Sequence, residues 1–166
     1  MPTNKLRAME NVAVQPELSD YEKERGKEMP SLNHSILQLR LGILLSGYKE
    51  FSVTSELTLK FGEWKRTPDL CIYPKLSVNW QRDIKQMTEP PLTAIEIVSP
   101  SQSADEFSDK LDKYFEAGVK SVWLVHPFLE SIVLCLPNQK PKVFTEGEFK
   151  DETTGVKFLL SDVFGT

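Results

Sequence analysis

Cysteine is scarce in this chain: Cys71 and Cys135 are the only two among 166 residues. Each sits in an apolar, strand-like run (LCIY and IVLCL) and no CxxC pair occurs, so both read as buried free thiols rather than as disulfide or zinc partners. Histidine is equally scarce. His126 stands between Val125 and Pro127 with no second histidine at ligand spacing, which argues against a zinc site. No run of eighteen apolar residues occurs, and the start, MPTNKLRAMENVAVQPE, lacks the basic-then-apolar order of a secretory signal. The expected location is therefore the cytoplasm, with no membrane association. Basic residues are in deficit, 20 Lys and Arg against 24 Asp and Glu for a net charge of −4. That excludes a protein that coats nucleic acid through overall charge, but leaves room for a local basic groove. Two glycine signatures also fail. Gly42 and Gly47 have P-loop separation but are followed by Tyr48-Lys49, and Ser99 and Ser101 lack a GxSxG setting, so both serines read as turn and cap residues.

What is present suits one globular domain: 40% hydrophobic and 27% charged residues, enough to build a core. Residues 1–18 show no periodicity and read as a flexible arm, which leaves 19–166 as the domain. Ser19 to Glu22 has capping-box spacing with Gly26 as a stop, giving a short helix. Ser31 caps a longer one on which Leu37, Leu41, Leu44 and Leu45 share a face. FSVTSELTLKF then alternates with period two, which predicts one strand burying Phe51, Val53, Leu57, Leu59 and Phe61 on one side. Thr67–Tyr73 and Leu92–Val98 are two more strands, separated by a polar insertion at about 75–91 that contains Trp80. Ser103 with Glu106 opens a second long helix with Phe107, Leu111, Tyr114 and Phe115 as its stripe. SVWLVHP, SIVLCLP and KVFT continue as strands, and LLSDVF reads as a closing strand or turn. The order predicts a mixed sheet flanked by helices.

Two acids interrupt apolar strands: Asp69 and Glu96. A buried carboxylate is costly unless a cation, a proton or hydrogen bonds compensate it. Two held close together repel unless a divalent cation lies between them, so the pair suggests a metal site. On the following helix, Lys110 falls about 85° from the centre of the apolar stripe and Lys113 about 145° away, at 100° per residue. Lys110 is thus expected at the core edge and Lys113 in water.

Pro68-Asp69 and Glu96-Ile97-Val98 resemble the signature of the PD-(D/E)XK nuclease superfamily, with Val98 where the motif has lysine. A longer series is similar to the Uma-type "putative restriction endonuclease" family, a bacterial domain of unknown function. It runs from Tyr21-Glu22 through Gly26, Met29-Pro30, His34, Pro68-Asp69, Glu96 to Ser101, Lys110, Tyr114, Ala117-Gly118-Val119 and Trp123 to Pro127. The resemblance implies a restriction-endonuclease-like αβββαβ core, an α/β (α+β) fold with a C-terminal β extension. It also implies an endonuclease that hydrolyses phosphodiester bonds in DNA with Mg²⁺ or Mn²⁺. Asp69, Glu96 and the backbone carbonyl of Ile97 would hold the metal, and Lys110 would stand in for the lysine missing at Val98. In that setting the metal would compensate Glu96.

Ordinary roles compete for several of these residues. Glu22 is explained as the capping partner of Ser19 and Glu24 as a solvated helix residue, so both are accessory candidates for the metal shell. His34 occupies the family's histidine position at a helix start, and Tyr114 is expected in the core with its hydroxyl near the site. Lys110 could be a snorkelling lysine. The alternative function is a catalytically inactive nuclease fold that binds nucleic acid or protein. A homodimer is expected because a two-fold pair supplies one site per strand, with the Trp80 insertion as interface or substrate clamp.

Overall fold

The computed structural model describes residues 17–25, 28–100 and 102–165, without the side chains of Tyr21, Glu24 and Arg25. Residues 1–16 of the expected arm, Gly26 and Ser101 lie outside the described residues, as does any role for the Glu24 side chain.

The chain begins with α1 (Asp20–Arg25). Its capping box forms as the spacing predicts: the Ser19 N–H and hydroxyl both donate to Glu22 Oε2, at 2.7 and 2.6 Å, and the Glu22 N–H returns to Ser19 Oγ. α2 (Leu32–Leu45) starts at Ser31, whose side chain accepts from the His34 N–H, and buries Leu37, Leu41 and Leu45. Then come β1 (Phe51–Ser55), β2 (Thr58–Phe61), β3 (Trp64–Arg66), β4 (Leu70–Pro74), β5 (Gln86–Met87) and β6 (Thr93–Ile97). α3 (Ala104–Glu116), capped by Ser103, leads into β7 (Ser121–His126). β8 (Ser131–Cys135), β9 (Lys142–Phe144), β10 (Glu148–Lys150), β11 (Lys157–Leu159) and α4 (Leu160–Phe164) complete the chain.

The main sheet has the order β1-β4-β6-β7-β8-β9. β1, β4 and β6 are antiparallel neighbours, and β7 lies parallel to β6. A parallel pair needs a crossover, and α3 supplies it. α2, β1, β4, β6, α3 and β7 therefore make the expected αβββαβ core. On one sheet face α2, α4 and the β10–β11 hairpin pack over Leu70, Ile72, Ile95, Ile97, Trp123 and Val125. On the other, α3 packs over Cys71, Tyr73, Ala94, Val122 and Leu124 together with Leu59 of β2. Both cysteines are buried and free.

Two expectations are corrected. FSVTSELTLKF is two strands, because Glu56 adopts a left-handed conformation (φ 53°) and donates its N–H to the Asp69 carbonyl at 3.1 Å. The break carries the chain around the sheet edge: Phe51 and Val53 pack with the α2 cluster, whereas Leu57, Leu59 and Phe61 pack with the α3 cluster. β2 then leaves the main sheet to form a small one in the order β3-β2-β5. The C-terminal LLSDVF is helix α4, not a strand or turn. Leu160 and Val163 are buried, and Gly165 closes the helix at φ 76°; an i, i+3 pair shares a face only in a helix. Among the described residues no helix is long and apolar enough to cross a membrane.

Candidate active site

The β4–β6 register sets Leu70 opposite Ile95 and Ile72 opposite Thr93. Continued by one residue, it places Asp69 opposite Glu96, and in an antiparallel pair directly opposed residues share a sheet face. Both are buried, at 1% and 3% exposure.

Asp69 is held from four directions. Its Oδ2 accepts the Ile97 N–H at 2.7 Å and its Oδ1 lies 2.9 Å from His34 Nε2. Its backbone carbonyl accepts from the Glu56 N–H and from Gln38 Nε2 at 3.3 Å. His34 and Gln38 are one helical turn apart, so the first turns of α2 present both to the start of β4.

Glu96 is held from the α3 side. The Tyr114 hydroxyl donates to its Oε1 at 2.6 Å, and Arg66 Nε approaches the same oxygen at 3.4 Å. Lys110 Nζ lies 3.7 Å from its Oε2 and 4.8 Å from the centroid of the Phe107 ring. Burial and then the Glu96 charge push the Tyr114 hydroxyl well above its ordinary pKa, so it remains a proton donor to the carboxylate. The Trp64 ring packs edge-on against Tyr114 at 5.2 Å and fixes the phenol from the other side.

Asp69 thus gathers His34 from the α2 side, and Glu96 gathers Tyr114, Lys110 and Arg66 from the other. Lys110 is 8% exposed at the core edge, and Lys113 faces solvent. His34 joins the site through Asp69, and Tyr114 through Glu96. Glu22 is engaged in capping and also accepts the Met29 N–H at 2.9 Å. His126 is only partly buried, which lowers its pKa through desolvation. The chain's own Tyr114, Arg66 and Lys110 contribute to the compensation of Glu96. Arg66 has no sequence signal beyond its place in a Trp-Lys-Arg run, because its partner lies 30 residues away. Gln38 is equally silent in the sequence.

Among the described residues no group of three or more His, Cys, Asp or Glu side chains is placed to hold a metal ion. The candidate set is therefore two carboxylates and a backbone carbonyl. These hard oxygen donors fit Mg²⁺ or Mn²⁺. Of the Glu96 oxygens, Oε1 takes both shorter contacts and Oε2 meets Lys110 at 3.7 Å, beyond hydrogen-bond length.

A family model described as "Putative restriction endonuclease", Uma2, matches residues 7–161. No curated protein matches the chain in sequence. A crystal structure of a "putative nuclease belonging to DUF820" from Anabaena variabilis is similar in fold. It is 21% identical, with a TM-score of 0.67 over 82% of this chain and 83% of that one.

Proposed function

Since the chain belongs to the Uma2 family, we propose that it is a divalent-metal-dependent endonuclease that hydrolyses phosphodiester bonds in DNA, with Asp69, Glu96 and Lys110 as its catalytic residues. The observation that carries this reading is a pair of buried carboxylates on adjoining strands, one of them 3.7 Å from the Lys110 ammonium of α3.

In this reading Asp69, Glu96 and the Ile97 carbonyl hold the metal, which lowers the pKa of an attacking water and offsets charge on the scissile phosphate when bound. The protein's own part is orientation. The Ile97 N–H and His34 fix the Asp69 carboxylate, and Tyr114 fixes Glu96 Oε1, so the open oxygen is Oε2. Lys110 stands beside that oxygen, where an ammonium orients the water and stabilises the negative charge that grows in the transition state.

The second reading is an inactive nuclease fold that binds without cutting. It is favoured by the contacts of Glu96 with Tyr114, Arg66 and Lys110, which balance the charge of the acid without a metal. Incubating wild type and Asp69→Asn with duplex and single-stranded DNA and RNA, in Mg²⁺ and in Mn²⁺, separates the two. The nuclease reading expects DNA cleavage by wild type alone; metal-independent binding with no cleavage of any substrate supports the binding module.

A further inference from the structure

Arg66 does more than balance Glu96. Its guanidinium touches the carboxylate through Nε alone. Its two terminal nitrogens make no hydrogen bond among the described residues, and neither is among the buried polar atoms that lack one. They therefore open to solvent. Arg66 is also the accessible cation of the cluster: its side chain is 20% exposed, against 8% for Lys110. A guanidinium anchored at Nε with its terminal fork free is pre-organised for two-pronged contact with a phosphate.

The strand that carries Arg66 turns it toward the site. β3 is an edge strand of the small sheet, and its register with β2 sets Arg66 opposite Leu59 and Lys65 opposite Lys60. Neighbouring residues of a strand point to opposite faces, so Arg66 shares the face of Trp64, which packs on Tyr114, whereas Lys60 and Lys65 lie on the other face.

We propose that Arg66 is the phosphate-binding residue of the site, taking a nucleic-acid phosphate beside the carboxylates with its terminal nitrogens. This rests on the nuclease reading for the identity of the ligand but makes its own claim about binding.

The test is fluorescence polarisation of a labelled 20-base-pair DNA duplex in EDTA, where binding is read without cleavage, across a series of NaCl concentrations. Each lost phosphate contact lowers the slope of log affinity against log salt by about one unit. Arg66→Gln should lower the slope by that amount and weaken binding about tenfold. Arg66→Lys should keep the slope but recover only part of the affinity, since the charge remains and the fork is lost. Lys113→Gln, on the solvent side of α3, should match wild type. If Arg66→Gln melts earlier but keeps the wild-type slope, the residue merely neutralises Glu96 and the proposal is overturned, as it is if wild type binds no duplex at low salt. Cleavage in Mg²⁺ is scored separately. A protein that binds with these slopes but never cuts keeps the Arg66 contact and loses the nuclease reading, and one that cuts with no change in the Arg66 variants does the reverse.

Discussion

Asp151 and Glu96 are both buried acids, and the structure treats them differently. Asp151, at the end of the β10–β11 hairpin on the α2 face, accepts from Trp123 Nε1 at 2.7 Å, from the Ser121 hydroxyl, and from Thr153 N and Oγ1. All of these donors are neutral. Glu96, on the α3 face, has one neutral donor and two cations within 4 Å. A carboxylate bound by neutral donors ties segments together, here the C-terminal hairpin to β7. One paired with cations belongs to a charged cluster shared by β6, β3 and α3. Burial alone does not mark a site; the company of the acid does.

The largest expected effect comes from breaking the structural acid. Asp151→Ala strands the Trp123 indole N–H and the Ser121 and Thr153 donors in the interior, at a cost of about 3 kcal/mol. Urea unfolding should show that loss, while activity per folded molecule stays at the wild-type level. The site should answer the other way. Lys110→Ala should slow turnover about 10²-fold with little change in stability, the scale of one lost electrostatic stabiliser. Lys113→Ala, on the solvent side of the same helix, is the control; equal activity in the two variants would remove Lys110 from the site.

Tyr114→Phe lies between the two classes. Removing the hydroxyl that fixes Glu96 should cost about 2 kcal/mol. It should also change the response to alkali. Burial, reinforced by Glu96, raises the Tyr114 pKa. The folded state therefore keeps the proton after the unfolded chain has lost it at about pH 10, and its contribution is complete below that pH and declines above it. Burial also raises the Tyr73 hydroxyl, and raises Cys135 to about 11, so these groups act in the same direction. The melting temperature of wild type should fall as pH rises past about 10, and that of Tyr114→Phe should fall less steeply. Parallel curves would show that the hydroxyl contributes nothing.

The legible parts of this molecule were local. Ser31 and Ser103 announce α2 and α3 because a cap and its partner N–H are three residues apart, and the 3.6-residue period alone distinguishes Lys110 from Lys113. Asp69 and Glu96 were visible because each interrupts an apolar strand. What stayed hidden depends on distant partners. The alternation of FSVTSELTLKF runs unbroken through Glu56, and only the hydrogen bond to the Asp69 carbonyl shows where the strand ends. Arg66 meets Glu96, and Asp151 meets Ser121 and Trp123, across 28 to 30 positions. No local pattern encodes such a pair.

The contrast between the two acids is tested most directly by isothermal titration of Mn²⁺ into wild type and Asp69→Asn, with DNA cleavage assayed on the same samples. Asparagine keeps an oxygen for the Ile97 N–H, so the variant should stay folded, whereas alanine would strand that donor. The account predicts that wild type binds Mn²⁺, gains stability from it by mass action and cuts DNA, while Asp69→Asn melts cooperatively but neither binds the ion comparably nor cuts. Equal Mn²⁺ affinity in the two proteins would contradict the metal centre and leave Asp69 and Glu96 as structural acids like Asp151.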